Sequence, residues 1–281
     1  MISFDFEYYK PTGLQEAVSL FQQLDASGKA PLYYSGGTEI ISMARLEQLR
    51  TGAVIDIKGI PECRVFQFHH HQLVIGSAIT LNALAESPLF PLLGDTVRDI
   101  ADHTIRNKIT IGGLLCGKFI YREGLLPFLL ADSEVVLASP SGVRQVPIRQ
   151  IFNGEPRLEK GELLVQIISD SIYFKMPFVT IKKTKLERID YPIVRITGLQ
   201  TGEGIRVAFS GVSAIPFRSK KIEEIMNDSS LTLEARVDNA IGWWPVPILN
   251  DILSSAAYRT FVLRNTLLDV MGALEQGRRR G

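Results

Sequence analysis

Two glycine pairs, each behind a β-rich run, constrain this chain most. One lies in Tyr33-Tyr34-Ser35-Gly36-Gly37-Thr38-Glu39-Ile40, the other in Ile105-Arg106-Asn107-Lys108-Ile109-Thr110-Ile111-Gly112-Gly113. A residue without Cβ lets the main chain turn sharply and lets another group approach it closely. β-branched or aromatic residues precede each pair, so each pair is expected where a strand ends. Successive unpaired N–H groups at such a turn form a concave nest for anions. Two nests on one chain suit a ligand with two phosphates, which is to say a dinucleotide. The first nest is followed by a predicted helix, whose N-terminus favours phosphate. Neither pair leads into Gly-Lys-Ser/Thr and neither fits GxGxxG, so P-loop and Rossmann fingerprints are absent. A lone Gly-Gly most often only ends a strand. The two together, each in an α/β setting with Thr38 or Thr110 beside it, carry the reading.

Along the chain, the first forty residues read strand, helix, strand. Thr12 is the expected N-cap, with Gln15 closing a capping box, and Leu14, Ala17, Val18, Phe21 and Leu24 follow at helical spacing. Ile40, Ile41, Ala44 and Leu46 are expected to face a core from a short helix, and 53–57 reads as a buried strand. Strands at 64–68 and 72–75 meet at three histidines; a helix capped by Thr80 covers 81–85 and another 95–103. A helical stretch at 123–132 precedes a hairpin over 134–148, turned at Ser139-Pro140-Ser141-Gly142, and a strand at 161–168. Beyond about residue 170 come β-rich 180–185, antiparallel partners at 193–199 and 205–212, and helices at 220–226, 233–241 and 258–274. The expected fold class is α+β / α/β: a domain over 1–171, with subdomains of about 1–57 and 58–171, then an α+β domain over 172–281.

Composition narrows the function. With 31 basic and 30 acidic residues among 281, the net charge of +1 offers no broad positive field for nucleic acid. The basic run Arg278-Arg279-Arg280 reads as a solvated tail. The N-terminus carries acids and no basic n-region, so it is not a secretory signal. No apolar run approaches the roughly 18 residues of a membrane span, and a cytoplasmic location is expected. Cys63 and Cys116, with no CxxC, exclude a four-cysteine iron–sulfur cluster within this chain and make a disulfide unexpected. Both read as small buried or half-buried residues, Cys116 being the one near a ligand. His69-His70-His71 cannot converge from one strand, because successive side chains alternate faces; an exposed hairpin tip is expected, and no metal site. His103 reads as a helix-surface or packing residue. Trp243-Trp244-Pro245-Val246-Pro247 reads as a partner surface or as buried in the second domain. There is no Gly-x-Ser-x-Gly elbow, Cys–His pair or acid/base carboxylate couple. No catalytic residue is assigned, and a cofactor is expected to carry the chemistry.

Four stretches, in order, carry a family resemblance: Ser35 to Glu39; Ile105-Arg106-Asn107 with Thr110 to Gly113; Asp132 to Leu137; and Arg206 to Arg218. The chain resembles the FAD-binding (medium) subunit of the molybdenum hydroxylases, the xanthine dehydrogenase and carbon monoxide dehydrogenase group. The resemblance implies a two-subdomain, PCMH-like FAD-binding domain followed by a small antiparallel sheet with packed helices. It places Tyr33, Tyr34, Ser35, Gly36, Gly37, Thr38, Glu39 and Ile40 on the cofactor's pyrophosphate side, joined by Thr110, Ile111, Gly112, Gly113 and Leu114. It puts Ile100 and Leu164 against the flavin ring, Glu123 toward the adenosine ribose and Lys182 near the flavin carbonyls. It implies a molybdopterin-binding large subunit, a small subunit with two [2Fe–2S] clusters, a xanthine-like substrate, and electrons leaving in pairs to NAD⁺ or another acceptor. Leu114 stands where the family has Asn, 116–122 is bulkier and more basic than the usual small polar stretch, Glu123 replaces Asp, and Leu186 stands where Arg is common. These departures motivate a second reading, an assembly or docking subunit with a degenerate cofactor pocket. A third is a free-standing flavin or nicotinamide oxidoreductase.

Overall fold

The computed structural model describes residues 2–278; Arg279 and Arg280 of the basic run lie outside them. The chain opens with β1 (Glu7–Tyr9), α1 (Leu14–Ala26), β2 (Leu32–Tyr34), α2 (Thr38–Arg45) and β3 (Ala53–Asp56), whose strands form a parallel sheet of order β1-β3-β2. Parallel neighbours need crossovers, which α1 and α2 supply. The central strand β3 is buried along its whole length, as a parallel strand covered on both faces should be. Ala17, Val18 and Leu24 of α1 pack on Ala53 and Ile55.

A five-stranded antiparallel sheet follows, built from β4 (Phe66–His69), β5 (Gln72–Gly76), β6 (Glu134–Ser139), β7 (Gly142–Pro147) and β8 (Leu163–Asp170) in the order β4-β5-β8-β6-β7. Between β5 and β6 run α3 (Leu81–Glu86), α4 (Pro91–Arg98), α5 (His103–Arg106), α6 (Ile111–Cys116) and α7 (Leu126–Leu130); α8 (Ile148–Phe152) follows β7. The third sheet, of order β12-β11-β10-β9, is antiparallel: β9 (Phe178–Thr184), β10 (Pro192–Thr201), β11 (Gly204–Ser210) and β12 (Phe217–Arg218). The helices α9 (Lys220–Met226), α10 (Leu233–Gly242) and α11 (Ala256–Arg278) complete the chain, with Leu263, Leu267, Val270 and Met271 of α11 packed in one cluster with Ile193, Val194 and Ile196 of β10.

Several expectations need correction. Gly13, not Thr12, is the N-cap of α1; Glu16 instead reaches back to accept from the Thr12 N–H (2.8 Å) and hydroxyl (3.2 Å). The single helix expected over 95–103 is two. Ala101 takes φ +52°, and Arg106 Nη1 donates to the carbonyls of Arg98 (2.8 Å) and Ala101 (2.6 Å), fixing a turn before Asp102 caps α5. Ile41 and Leu46 are exposed; of the four residues expected to face a core from α2, only Ala44 is buried, because that helix borders a cleft. Gly112 and Gly113 do not end a strand: a single Thr80–Thr110 bridge precedes them, and they lie in the first turn of α6. Cys63 is buried but Cys116 is exposed. The histidines occupy the exposed β4–β5 tip, with His70 at φ +55°. His103 lies on the surface beside Asn82 and Glu86. Trp244 is packed edge-on to Phe209 and Phe217 and its indole N–H donates to Ser213 Oγ (3.2 Å), whereas Trp243 is exposed.

Candidate functional site

The two glycine turns, about seventy residues apart in sequence, touch. A Cβ on Gly36 would stand 1.8 Å from the Lys108 carbonyl oxygen, so the main chain entering the second turn lies directly against the first. Gly37 is needed for a different reason. Its φ of +71° turns the chain from β2 into α2, and a side chain there would also strike the Tyr34 ring.

The turns differ in what they offer a ligand. In the second, Gly112 N–H donates to Ser77 O (2.8 Å), Gly113 N–H to Thr110 Oγ1 (3.3 Å) and Leu114 N–H to Thr110 O (2.9 Å). It is therefore not the open nest expected from its sequence: its amides are committed to protein acceptors. The first turn keeps its donors. Gly37 has no side chain with which to cap α2, so the N–H groups of Thr38, Glu39 and Ile40 have no intrahelical partner. Together with the helix dipole they form an anion site. Ser35 Oγ, buried beside them, has no hydrogen-bond partner among the described residues.

A triad behind the first turn holds it in place. Lys58 Nζ donates to Ser35 O (2.8 Å), pairs with Asp56 (2.9 Å) and lies 4.7 Å from the centre of the Tyr34 ring. Tyr8 OH donates to Asp56, and that bond pushes the Tyr8 phenol up to about 12. Burial pushes the Asp56 carboxyl up, but the bonds from Tyr8 and Lys58 together bring it below its ordinary value. The available sequence signal was an Asp ending a strand that is otherwise wholly apolar, a position where a carboxylate needs partners.

Both turns open on one cleft of about 850 Å³, within the usual range for cofactor sites. Every residue nominated from the sequence lines it except Ile111, which is packed beneath in the core. Ile100 and Leu164 add apolar wall. Tyr33 stacks on Phe21 (5.0 Å) and donates to Gly161 O (2.9 Å). Near the β9–β10 connection, Tyr121 stacks on Tyr191 at 4.5 Å, with Phe119 beside it. Glu123 and Lys182 meet each other: Lys182 Nζ donates to Glu123 Oε1 (3.1 Å) and to Asp99 O (2.9 Å). The other Glu123 oxygen accepts from Arg195 (3.2 Å), a fully buried residue on β10 that sequence reasoning passed over. Arg195 also donates to Thr96 O and Thr180 Oγ1, tying the third sheet to the α4 region. Glu123 is thus the hub of a buried ionic joint.

The donor set fits a dinucleotide: free amides at a helix start, an orphaned hydroxyl, apolar walls and a buried lysine. The family described as "FAD binding domain in molybdopterin dehydrogenase" matches residues 4–168. The chain belongs to that family. The carbon monoxide dehydrogenase medium chain of Hydrogenophaga pseudoflava is 33% identical over 173 residues, covering 59% of this chain and 59% of that relative. A putative xanthine dehydrogenase FAD-binding subunit of Escherichia coli is 31% identical over 170 residues, covering 58% of this chain and 57% of its own length. In both alignments the chain spans under two thirds of the relative. A solved structure of carbon monoxide dehydrogenase from H. pseudoflava superposes with a TM-score of 0.88 at 26% identity, over 98% of this chain and 99% of that one. FAD is accordingly the cofactor of this fold, and the likeness extends beyond the FAD-binding domain into the third sheet and its helices. Among the described residues, no helix is long and apolar enough to cross a membrane.

Proposed function

We propose that this chain is the FAD-carrying electron-transfer subunit of a heteromeric molybdenum hydroxylase. One observation carries the reading: two distant turns close on a single cleft, and one of them leaves the first amides of α2 free. Thr38, Glu39 and Ile40 would hold the diphosphate by main-chain N–H groups, with Ser35 Oγ as a further donor. Ile100 and Leu164 would flank the flavin, and the Lys182 ammonium, neutralised in part by Glu123, would face its carbonyl edge. Tyr33, Tyr34, Gly36, Gly37, Thr110, Gly112, Gly113 and Leu114 would shape the wall. When bound, FAD supplies exchange between one-electron and two-electron transfer. The chain's own part is to bind, orient and screen the cofactor from water.

Partners of the molybdopterin-binding and [2Fe–2S] kinds, a cytoplasmic location, an N-heterocyclic substrate such as xanthine, and NAD⁺ as acceptor all belong to this proposal. Support for partners comes from relatives named as a medium chain and as a FAD-binding subunit. Those relatives are named for carbon monoxide and xanthine, so the substrate is assigned to the partner that would hold the molybdenum centre. The test is purification of the complex from its native cells. Stoichiometric FAD on this chain, with molybdenum and iron on co-purifying chains and hydroxylation of a purine, is expected. A complex active without flavin on this chain would overturn the reading in favour of a docking subunit with a degenerate pocket.

A further inference from the structure

Arg122 is the unexplained charge of the cleft. Three cations line it: Lys118, Arg122 and Lys182. Lys182 is committed to Glu123 and Asp99, and Lys118 is exposed. Arg122 is only 6% exposed, yet its guanidinium makes a single hydrogen bond, from Nε to Gly117 O (3.1 Å). Among the described residues its two terminal amino groups meet no hydrogen-bond acceptor. Burial lowers its pKa, the mark of a cation short of counter-charge, although Glu155 and Glu39 act in the opposite sense. Its backbone sits at φ +30°, a left-handed conformation that a long side chain rarely adopts and that persists only where its surroundings demand it. Its segment is anchored to the first turn of α2 through the Lys118 N–H, which donates to Glu39 Oε1 (2.5 Å).

A diphosphate carries two negative charges. The amides of the second turn are spent and Leu114 offers no donor, so α2 alone would face both charges. We infer that Arg122 is a diphosphate-binding residue, its guanidinium supplying the paired, charge-assisted donors that the second turn withholds. An Arg fork matches phosphate oxygens two at a time. This inference rests on the FAD reading above.

The test is ligand titration of the full-length chain stripped of flavin, using flavin fluorescence for FAD and riboflavin and calorimetry for ADP. Arg122→Gly is expected to weaken FAD and ADP at least about tenfold, the loss of one charge-assisted contact. Riboflavin, which has no phosphate, should bind as to the wild type. Because glycine adopts φ +30° freely, the unliganded melting temperature should not fall. Arg122→Lys should recover part of the lost affinity. The inference is overturned if Arg122→Gly keeps FAD and ADP within twofold of wild type, or if riboflavin loses as much as FAD, which marks a structural role. Wild-type chain that takes up no FAD overturns the parent reading and this inference with it.

Discussion

Gly36→Ala tests whether the contact between the two turns makes the cleft. The added Cβ would lie 1.8 Å from Lys108 O and 2.8 Å from Lys108 C, where ordinary contact begins at 3.4 Å; one backbone must retreat by 1.6 Å (3.4 − 1.8). The obstacle cannot rotate aside. It is a main-chain carbonyl, held by Lys108 N–H to Ile105 O (2.8 Å) and Ile109 N–H to Ile105 O (3.0 Å). Overpacking of this kind costs about 1–3 kcal/mol. At roughly 2–4 °C per kcal/mol for a chain of this size, Tm should fall by about 2–12 °C. Affinity should suffer separately. A displacement of that size takes a hydrogen bond from about 2.9 Å to well beyond reach. One lost bond to a charged group is worth about 1.5–3 kcal/mol, or roughly 10- to 150-fold in Kd. Differential scanning of the flavin-free chain and an FAD titration measure the two effects. Gly113→Ala is the control: its Cβ meets only Thr110 Oγ1, at 3.0 Å, so stability should hold and any lost affinity reports space inside the cleft. A Gly36→Ala chain with wild-type Tm and wild-type FAD affinity would refute the reasoning.

Glu123→Gln keeps the shape but strips Lys182 of its carboxylate partner and leaves Arg195 only Asp99, at 3.7 Å; a loss of about 3 kcal/mol, the low end for a broken buried pair, is expected in urea unfolding, and an unchanged midpoint contradicts the hub. Lys58→Met removes the donor that fixes Ser35 O, and should weaken FAD by about 1 kcal/mol, roughly fivefold, in the same titration; undiminished affinity rules out a positioning role. Asp56 has a folded-state pKa below its ordinary 3.8, so its stabilisation is complete above 3.8 and is lost as pH falls through the folded value. The stability gap between wild type and Asp56→Asn should therefore be widest near neutrality and close in acid; a gap constant across that range speaks against the Tyr8–Asp56–Lys58 triad.

Elements set by neighbours in sequence were legible. The β6–β7 hairpin is announced by Ser139-Pro140-Ser141-Gly142, and β10–β11 by Gly202-Glu203-Gly204 between β-branched runs. Features set by distant partners were not. Nothing local says that β8 enters between β5 and β6, since that placement is fixed by burial of Leu164 and Ile167 among helices drawn from elsewhere. Nothing local shows that Ser77 takes the Gly112 N–H, that Arg106 breaks the helix before it, or that Glu123 finds Lys182 and Arg195. Residue types at those positions permit the contacts, but only the folded chain brings the partners together, and the Glu123 pairs also need the third sheet in place.

The clearest mark of the site is the left-handed glycine that starts α2. The helices α3, α5, α6, α9 and α10 start with Thr80, Asp102, Thr110, Ser219 and Thr232, each accepting from an amide of its own first turn. At the cleft, α2 starts with Gly37 and, like α1, α4, α7 and α8, has no side-chain cap; against glycine a capping hydroxyl would add only about a few tenths of a kcal/mol. Half-buried Thr38, Glu39 and Ile40 keep their amides for another acceptor. An anionic ligand that fills that role binds the folded state alone and raises its Tm with concentration. The same glycine also adopts φ +71°, which turns the chain into α2 where Thr38, Glu39 and Ile40 line the cleft. The free amides, the orphaned Ser35 hydroxyl and the turn geometry therefore point to one place, and consistency of that kind is what separates a ligand-binding turn from a glycine pair that merely ends a strand.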